Sequence, residues 1–331
     1  MAKTASVLAT CLAIALLAGI IVYFALDLGF FFQPTQLNET YTVDNAISIT
    51  FNALNAIRIQ NGLASVSLVN DPSASYRAND MIANQYFGHY DLNGYSPSYY
   101  YTALGGTYSM EENIAAYYNS GGLTFNSLMT FVNDSVYSMV YNDSSSNWGH
   151  RDSLMDPTNN AVAISFAYSG DHAFLVIHMI KEWVVWDSPP NITGGIFSCS
   201  GRWSLPGPTF ESVDIEYSNL SQNANVKYDE SLHLLTTGSN YSNGNAVAGV
   251  VPAPLSFNDV ATIRPLTWDV NTGADHTHFA FSFNLTATNG PGIYTVVVWG
   301  SRPISTLDPF DTSRYSEEVP ILEYSVFLNG S

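Results

Sequence analysis

The sequence contains few basic residues and few cysteines, and both shortages narrow the possible functions. Lysine and arginine number 10 against 28 aspartate and glutamate residues, which gives a formal net charge of −18 over 331 residues. Nucleic-acid binding is therefore not expected, because contact with phosphates requires a basic face. Of the two cysteines, Cys11 lies in an apolar N-terminal run and Cys199 far downstream, so we expect no intrachain disulfide.

Charged residues of either sign are also scarce, at 11% against roughly 25% in an average soluble protein. Polarity comes instead from asparagine, serine, threonine and tyrosine, a composition typical of an exported surface. Apolar residues make up 46% of the chain, enough to form hydrophobic cores. The length predicts about two domains of ordinary size.

The N-terminal region contains an uncharged apolar run of 21 residues, from position 6 to position 26. A helix of that length can cross the roughly 30 Å hydrocarbon core of a bilayer. Lys3 precedes the run and Asp27 follows it, which predicts a cytoplasmic N-terminus and an extracellular remainder. We favour a retained single-pass anchor in the cell membrane. A cleaved signal peptide is the alternative, although its apolar core is normally only about 7–15 residues long.

Asparagine sequons of the form Asn-x-Ser/Thr follow the predicted anchor, and as a set they agree with an exported glycoprotein. They lie at Asn38, Asn133, Asn142, Asn191, Asn219, Asn240, Asn284 and Asn329.

After the predicted anchor, the sequence pattern changes once, from mixed helical and strand spacing to short β-rich runs. Residues 42–59, 73–86 and 123–140 have the apolar spacing of helices, and residues 161–168 and 172–180 are typical of a strand hairpin. From residue 183 onward, short β-rich runs separated by turn residues indicate a β-sandwich. The predicted organisation is a membrane anchor or signal segment (1–28), a linker (29–41), an α+β domain (42–184) and an all-β sandwich domain (185–331).

Candidate functional residues lie in the α+β region, where histidine or acidic side chains stand beside turn residues. They are His89, Glu112, Asp134 and His150. Imidazole and carboxylate groups together bind divalent metals or exchange protons. Because these residues are about 20 or more positions apart, only the fold can bring them together, and spacing alone does not separate a site from ordinary core or surface histidines. No phosphate-binding loop, nucleophile elbow or paired-cysteine motif is present.

Motifs arranged in order along residues 42–181 resemble the microbial secreted members of the CAP family (cysteine-rich secretory, antigen 5 and pathogenesis-related proteins). They are Asn-Ala-Ile-Arg at 55–58, the turn around His89, Glu-Asn-Ile-Ala at 112–115 and Gly-His-Arg at 149–151. The resemblance implies an α-β-α sandwich with a cleft lined by two histidines and two acids. Carried over, these are His89, Glu112 and His150, with Asp134 at the position where many members have a glutamate. The run at 292–300 resembles the last strands of immunoglobulin-like modules.

The cleft implied by the resemblance suits a divalent metal such as Zn²⁺, with His89, His150 and Glu112 as ligands. The same groups can instead form hydrogen bonds across a polar cleft. We interpret His172 and His178 as packing or surface residues, and His276 and His278 as exposed strand histidines.

The resulting function hypothesis is a surface binding module for a lipid, glycan or protein ligand that the sequence does not identify. The alternative is a metal-dependent hydrolase or protease that uses the same cleft to activate water. No nucleophile is evident, and the resemblance implies diverse roles, including lipid or sterol binding, signalling and disputed proteolysis. It therefore does not imply one reaction.

Overall fold

The structure is a computed structural model that describes residues 37–204, 209–238, 241–270, 278–301 and 318–329. Within these ranges, the residues from 43 onward form one compact unit. The predicted anchor, most of the predicted linker, Cys11, Asn240 and His276 lie outside the described residues. Within the described ranges, no helix is both long enough and apolar enough to span a membrane.

Helices and strands alternate in the first half of the chain, and strands dominate the second. The helices are α1 (Glu39–Gln60), α2 (Pro72–Asn84), α3 (Pro97–Ala103), α4 (Phe125–Tyr141), α5 (Gly149–Leu154) and α6 (Leu220–Asn223). The strands are β1 (Ser67–Leu68), β2 (Tyr86–Phe87), β3 (Ser109–Tyr118), β4 (Ala161–Ser169), β5 (His172–Lys181), β6 (Val184–Thr193), β7 (Ile196–Trp203), β8 (Thr209–Ser218), β9 (Lys227–Asp229), β10 (Leu234–Thr236), β11 (Asn245–Val250), β12 (Ala261–Ile263), β13 (Pro265–Val270), β14 (His278–Asn284), β15 (Gly292–Ser301) and β16 (Glu318–Leu328).

The α+β region is built on a four-stranded sheet in the order β1-β4-β5-β3. Side chains alternate across a strand, so each strand supplies residues to both faces of the sheet. On one face, Ala78 and Met81 of α2 pack against Ala163 of β4 and Phe174 of β5. On the other face, the ring of Phe131 of α4 contacts the rings of Tyr117 of β3 and Phe166 of β4. Helices therefore cover both faces.

Local sequence explains where the two covering helices begin. Asp71 caps α2 by accepting a hydrogen bond from the backbone of Ser73, and Pro72 occupies the first turn, where its missing N–H costs nothing. Thr124 and Ser127 form a reciprocal capping box at the start of α4. These caps determine the residues at which the two helices begin.

The C-terminal half consists of a five-stranded sheet, β12-β11-β8-β15-β16, and a four-stranded sheet, β13-β14-β7-β6. The two sheets share one hydrophobic core that includes Phe197, Phe281, Phe283 and Val296. Cys199 is buried in this core as a free thiol. The prediction of an α+β domain followed by a β-rich region is confirmed, and β6 begins at Val184, one residue before the predicted boundary.

The β-sandwich packs tightly on the α+β region. The β9–β10 hairpin extends strand β2 into a three-stranded sheet, and the backbone N–H of Ser325 donates to Thr102 Oγ1 at 2.9 Å. Two glycines permit this approach: a Cβ atom at Gly88 would lie 1.9 Å from Thr237 Oγ1, and one at Gly94 would lie 2.2 Å from the carbonyl oxygen of Leu220. The C-terminal half therefore contacts the α+β region at several separate points.

Candidate functional site

Glu112 lies at the centre of a buried ionic network on the α2 face of the sheet. It stands on β3 directly opposite His178 of β5. Arg77 of α2 reaches it from above, with Nε 3.2 Å from Oε2 and Nη2 3.4 Å from Oε1. The same guanidinium donates to Tyr86 Oη at 2.6 Å and to the carbonyl oxygens of Gly88 and His89. Arg77 thus joins α2, β3 and the turn before His89.

The charge states in this network follow from its geometry. Burial alone would raise the pKa of Glu112, but the charge of Arg77 and hydrogen bonds from His178 and His89 outweigh it, so the pKa lies below its ordinary value. Burial lowers the pKa of Arg77, yet the nearby Glu112 carboxylate more than compensates and raises it. Glu112 and Arg77 therefore form a stable ion pair.

His178 is the second cation of the network. Its Nε2 lies 3.2 Å from Glu112 Oε2, and its Nδ1 lies 2.6 Å from Asp71 Oδ2. Burial lowers the pKa of His178, but the hydrogen bonds to Asp71 and Glu112 prevail and raise it. Burial raises the pKa of Asp71, and the bond from His178 reverses this, so Asp71 is ionised. Both ring nitrogens of His178 consequently donate, and the network holds two cations and two anions.

His89 is the group through which this network meets the cleft. Its Nδ1 lies 3.1 Å from Glu112 Oε1, and its side chain is only 7% exposed. Burial lowers the pKa of His89, and the hydrogen bond and charge of Glu112 offset this only in part. Because ionised Glu112 can only accept, His89 is a neutral imidazole with its proton on Nδ1. Its Nε2 is left as an acceptor, and the ring lines the cleft.

His150 occupies the opposite side of the cleft, on helix α5. Its Nδ1 lies 2.7 Å from Asp143 Oδ1. The second oxygen of Asp143 accepts the backbone N–H groups of His150 and Arg151, at 2.9 and 3.2 Å. Asp143 therefore holds both the backbone and the imidazole of His150 in place.

The cleft between these histidines has a volume of about 660 Å³ and is walled by both halves of the protein. The α+β region supplies His89, Glu112 and His150, and the C-terminal half supplies residues 241–243 and 318–320 with Glu323. Lys181 is fully buried between two lining carboxylates, with Nζ 2.7 Å from Glu111 Oε1 and 3.3 Å from Asp156 Oδ2. The cleft is accordingly polar and acidic.

Two residues of the C-terminal half contact the cleft strand directly. The backbone N–H of Glu112 donates to Tyr241 Oη at 2.7 Å, and the Tyr241 ring lies 4.9 Å from the His89 ring between centroids. The backbone N–H of Met110 donates to Glu323 Oε2 at 3.2 Å. The β-sandwich therefore completes the site and does not only support it.

Of the four residues that the sequence singled out, three line this cleft: His89, Glu112 and His150. Asp134 lies on the exposed surface of α4 and lines a separate groove, which it shares with the other side of His150. Sequence reasoning did not identify Arg77, Asp71, Asp143 or Tyr241 as residues of the site. It also interpreted His178 only as a packing or surface residue.

The three predicted metal ligands are not equally suited to bind a metal ion. His89 and His150 each direct Nδ1 to a carboxylate, an arrangement that orients the other ring nitrogen for metal binding. Both Glu112 oxygens already accept hydrogen bonds from Arg77 and the two histidines. Within the described ranges, no three His, Cys, Asp or Glu side chains are grouped to hold a metal ion.

Comparisons with known proteins concern the α+β region. Residues 51–185 match the family model described as "CAP: Cysteine-rich secretory protein family". A solved structure, the "CAP domain of Enterococcal PrgA", matches with 16% sequence identity and a TM-score of 0.32, covering 44% of this chain and 64% of that chain. No curated protein matches the chain. The family match spans His89, Glu112 and His150, and residues 51–185 form a domain of the CAP family.

Proposed function

We propose that this protein is a non-catalytic binding module that acts outside the cytoplasm and holds its ligand in the cleft between the CAP domain and the β-sandwich. A CAP domain is in general an extracellular-type binding module. The composition of the chain supports the location, as does the apolar run at 6–26. Further support comes from the exposure of six sequon asparagines, at Asn38, Asn133, Asn142, Asn191, Asn284 and Asn329.

The observation that carries this proposal is the saturation of Glu112. A general base must be able to take up a proton near neutral pH, whereas Arg77 and His178 hold the pKa of Glu112 below its ordinary value. The carboxylate instead fixes the tautomer of His89. The cleft then presents a neutral imidazole on one side and His150 on the other, beside lining carboxylates and amides. These are recognition groups for a polar ligand.

The alternative is a metal-dependent hydrolase in the same cleft. It is supported by the carboxylate partners of His89 and His150, which leave Nε2 of each ring for a metal such as Zn²⁺. A bound metal would supply an activated water molecule. In that case, Glu112 would orient His89 and would not itself bind the ion.

The two functions are separated by comparing the wild type with a His89→Ala/His150→Ala variant. His278→Ala is the matched control, because its imidazole lies on β14 of the β-sandwich and is 39% exposed. Each protein is analysed for bound metal by mass spectrometry and for binding to arrays of lipids, glycans and peptides.

We expect the wild type and His278→Ala to bind the same ligand class without stoichiometric metal, and the double variant to lose that binding. Stoichiometric metal that disappears in the double variant, together with hydrolytic activity, would establish the alternative instead. Identical binding by all three proteins would contradict both functions of the cleft.

The proposed membrane anchor has its own test. We expect the protein to fractionate with membranes and to retain residues 6–26, as read by N-terminal sequencing. A mature N-terminus downstream of residue 26 in the soluble fraction would establish a cleaved signal peptide.

A further inference from the structure

Strand β3 lies at one edge of the CAP sheet, and one of its long sides faces away from β5. The sheet order is β1-β4-β5-β3, and β3 pairs with β5 in continuous antiparallel register from Ser109 to Tyr118. In such a pair, the N–H and C=O groups of successive residues point alternately toward and away from the partner strand. Every second residue of β3 therefore presents its backbone groups at the free edge.

Two contacts identify which residues these are. The N–H of Met110 donates to Glu323, and the N–H of Glu112 donates to Tyr241. Both acceptors belong to the β-sandwich, so the even-numbered amides point away from β5. By the same alternation, the N–H and C=O groups of Ile114 and Ala116 also point to the free edge.

Within the described residues, the contacts from the β-sandwich lie on the first half of this edge, at Met110 and Glu112. For the amides of Ile114 and Ala116, no hydrogen-bond partner is found in the described part of the chain. These two residues line a groove of about 700 Å³ between β3 and α4, and Phe131 and Met139 form its apolar wall. His150 lines both this groove and the cleft.

We propose that this groove, bounded by β3 and α4, docks an extended polypeptide segment of a partner protein, which adds to β3 as a further strand. The proposal rests on the binding function proposed above and names the chemistry of the partner. Main-chain hydrogen bonds would supply affinity, and alternate side chains of the segment would enter the apolar groove.

The free edge itself selects a polypeptide. Its donors and acceptors repeat about every 6.8 Å along β3, twice the rise of an antiparallel strand, and an extended peptide offers the matching sequence of C=O and N–H groups. The β-sandwich already uses the same edge at Met110 and Glu112, so the docking surface continues an existing interface.

Charge selects the kind of segment. Asp134 and Asp143 line the groove, and none of its described lining residues is lysine or arginine. Asp134 is exposed at the rim, where it can pair with a basic side chain of the partner. The net charge of −18 favours the same choice. The partner segment is therefore extended, apolar on alternate residues and basic beside Asp134.

The test is selection of random dodecapeptides from a phage-displayed library on the full chain, followed by binding measurements on variants. Ala116→Pro removes one free-edge N–H, and proline is tolerated in edge strands when its nitrogen faces away from the partner. Ala116→Val is the matched control that keeps the N–H. Asp134→Asn tests the contribution of the negative charge beside the groove. Glu230→Gln is its control, because it removes the charge of another exposed carboxylate.

We expect enriched peptides that carry lysine or arginine and that lose about tenfold in affinity on Ala116→Pro but not on Ala116→Val. N-methylation of alternate amides in an enriched peptide should abolish binding in only one of the two registers. Hydrogen exchange on the free protein should be fast at Ile114 and Ala116, slow at Asn113 and Ala115, and unchanged at the latter pair in Ala116→Pro if that variant is folded.

Slow exchange at Ile114 and Ala116 in the free protein would overturn the proposal, because the edge would already be occupied. A library without enriched peptides would also overturn it. Peptides that bind Ala116→Pro as tightly as wild type, but fail on His89→Ala/His150→Ala, would overturn strand addition while leaving the proposed cleft function intact.

Discussion

The buried cation Arg77 offers the sharpest test of how the site is held together. Arg77→Met keeps a long side chain but removes the donors to Glu112, Tyr86 Oη and two backbone carbonyls. Both partners of the Arg77–Glu112 pair have side chains of 0% relative exposure. Removing one partner of a buried ion pair costs about 3–5 kcal/mol, because without Arg77 the network would hold two buried carboxylates and only one cation, His178. We therefore expect the free energy of unfolding to fall by about 4 kcal/mol.

The assay is urea unfolding of the purified protein, read by intrinsic fluorescence, with the slope of the transition checked for constancy. Arg202→Met is the matched control, since Arg202 pairs with Asp187 at 3.5 Å and its side chain is 58% exposed. Exposed pairs of this kind contribute about 0–1 kcal/mol. The same substitution at the two arginines should therefore differ severalfold in its effect.

A double-mutant cycle with Glu112→Gln then isolates the pair. If the two groups interact as the geometry indicates, the losses of the single variants should sum to more than the loss of the double variant, by at least about 1 kcal/mol. Additive losses, or a cost for Arg77→Met within about 1 kcal/mol of that for Arg202→Met, would refute the network as the element that holds the cleft.

Three further predictions concern titrating groups and the contact from the β-sandwich. Burial lowers the pKa of His178, but hydrogen bonds to Asp71 and Glu112 outweigh it and raise the pKa. The stability that His178 contributes is therefore full below about pH 6.5 and is lost as pH rises through the folded-state pKa. In urea unfolding, His178→Gln should cost most at pH 5–6 and least at alkaline pH, and a pH-independent cost would contradict this. Burial raises the pKa of Glu216 to about 7, so the protein loses stability as pH rises through 7. Glu216→Gln should therefore stabilise the protein more at pH 8 than at pH 5. Equal effects at both pH values, or an NMR titration midpoint near the ordinary value for glutamate, would refute this prediction. Tyr241→Phe removes the acceptor of the Glu112 N–H and should cost about 1 kcal/mol with faster exchange of that amide, whereas unchanged exchange would show that the contact is not maintained in solution.

The sequence predicted the parts of the site that short motifs carry and missed the parts that packing supplies. His89, Glu112 and His150 stand in or beside such motifs, and all three line the cleft. Asp134 was inferred from spacing alone. A helix has several faces, however, and spacing did not determine that this residue faces the groove of α4 and not the cleft.

The missed partners had a weak signal in the sequence. Arg77 stands in line with Ala74, Ala78 and Met81 on the buried face of α2. An arginine in an apolar helical stripe is almost never buried without a counterion. The pattern therefore predicts an acidic partner on the sheet that faces α2. His178 gives the same signal, because it lies on the same face of a fully buried strand as Phe174, Val176 and Ile180.

The contribution of the C-terminal half was beyond sequence reasoning for a different reason. Tyr241 reaches Glu112 across 129 positions of the chain, and no local pattern encodes a contact of that separation. Composition and turn residues predicted a β-rich region after residue 183. They carry no information about which of its edges meets the CAP domain.

The glycine contacts between the two halves limit how this protein can be recombined. At Gly88 and Gly94, any larger residue would collide with Thr237 or with the Leu220 carbonyl. A CAP domain transplanted from another protein onto this sandwich would need glycine at both positions to pack against Thr237 and Leu220 without a steric clash. The reverse transplant, of this CAP domain onto a different partner, would leave the cleft without one of its walls. In engineering, the two domains would therefore have to be exchanged together.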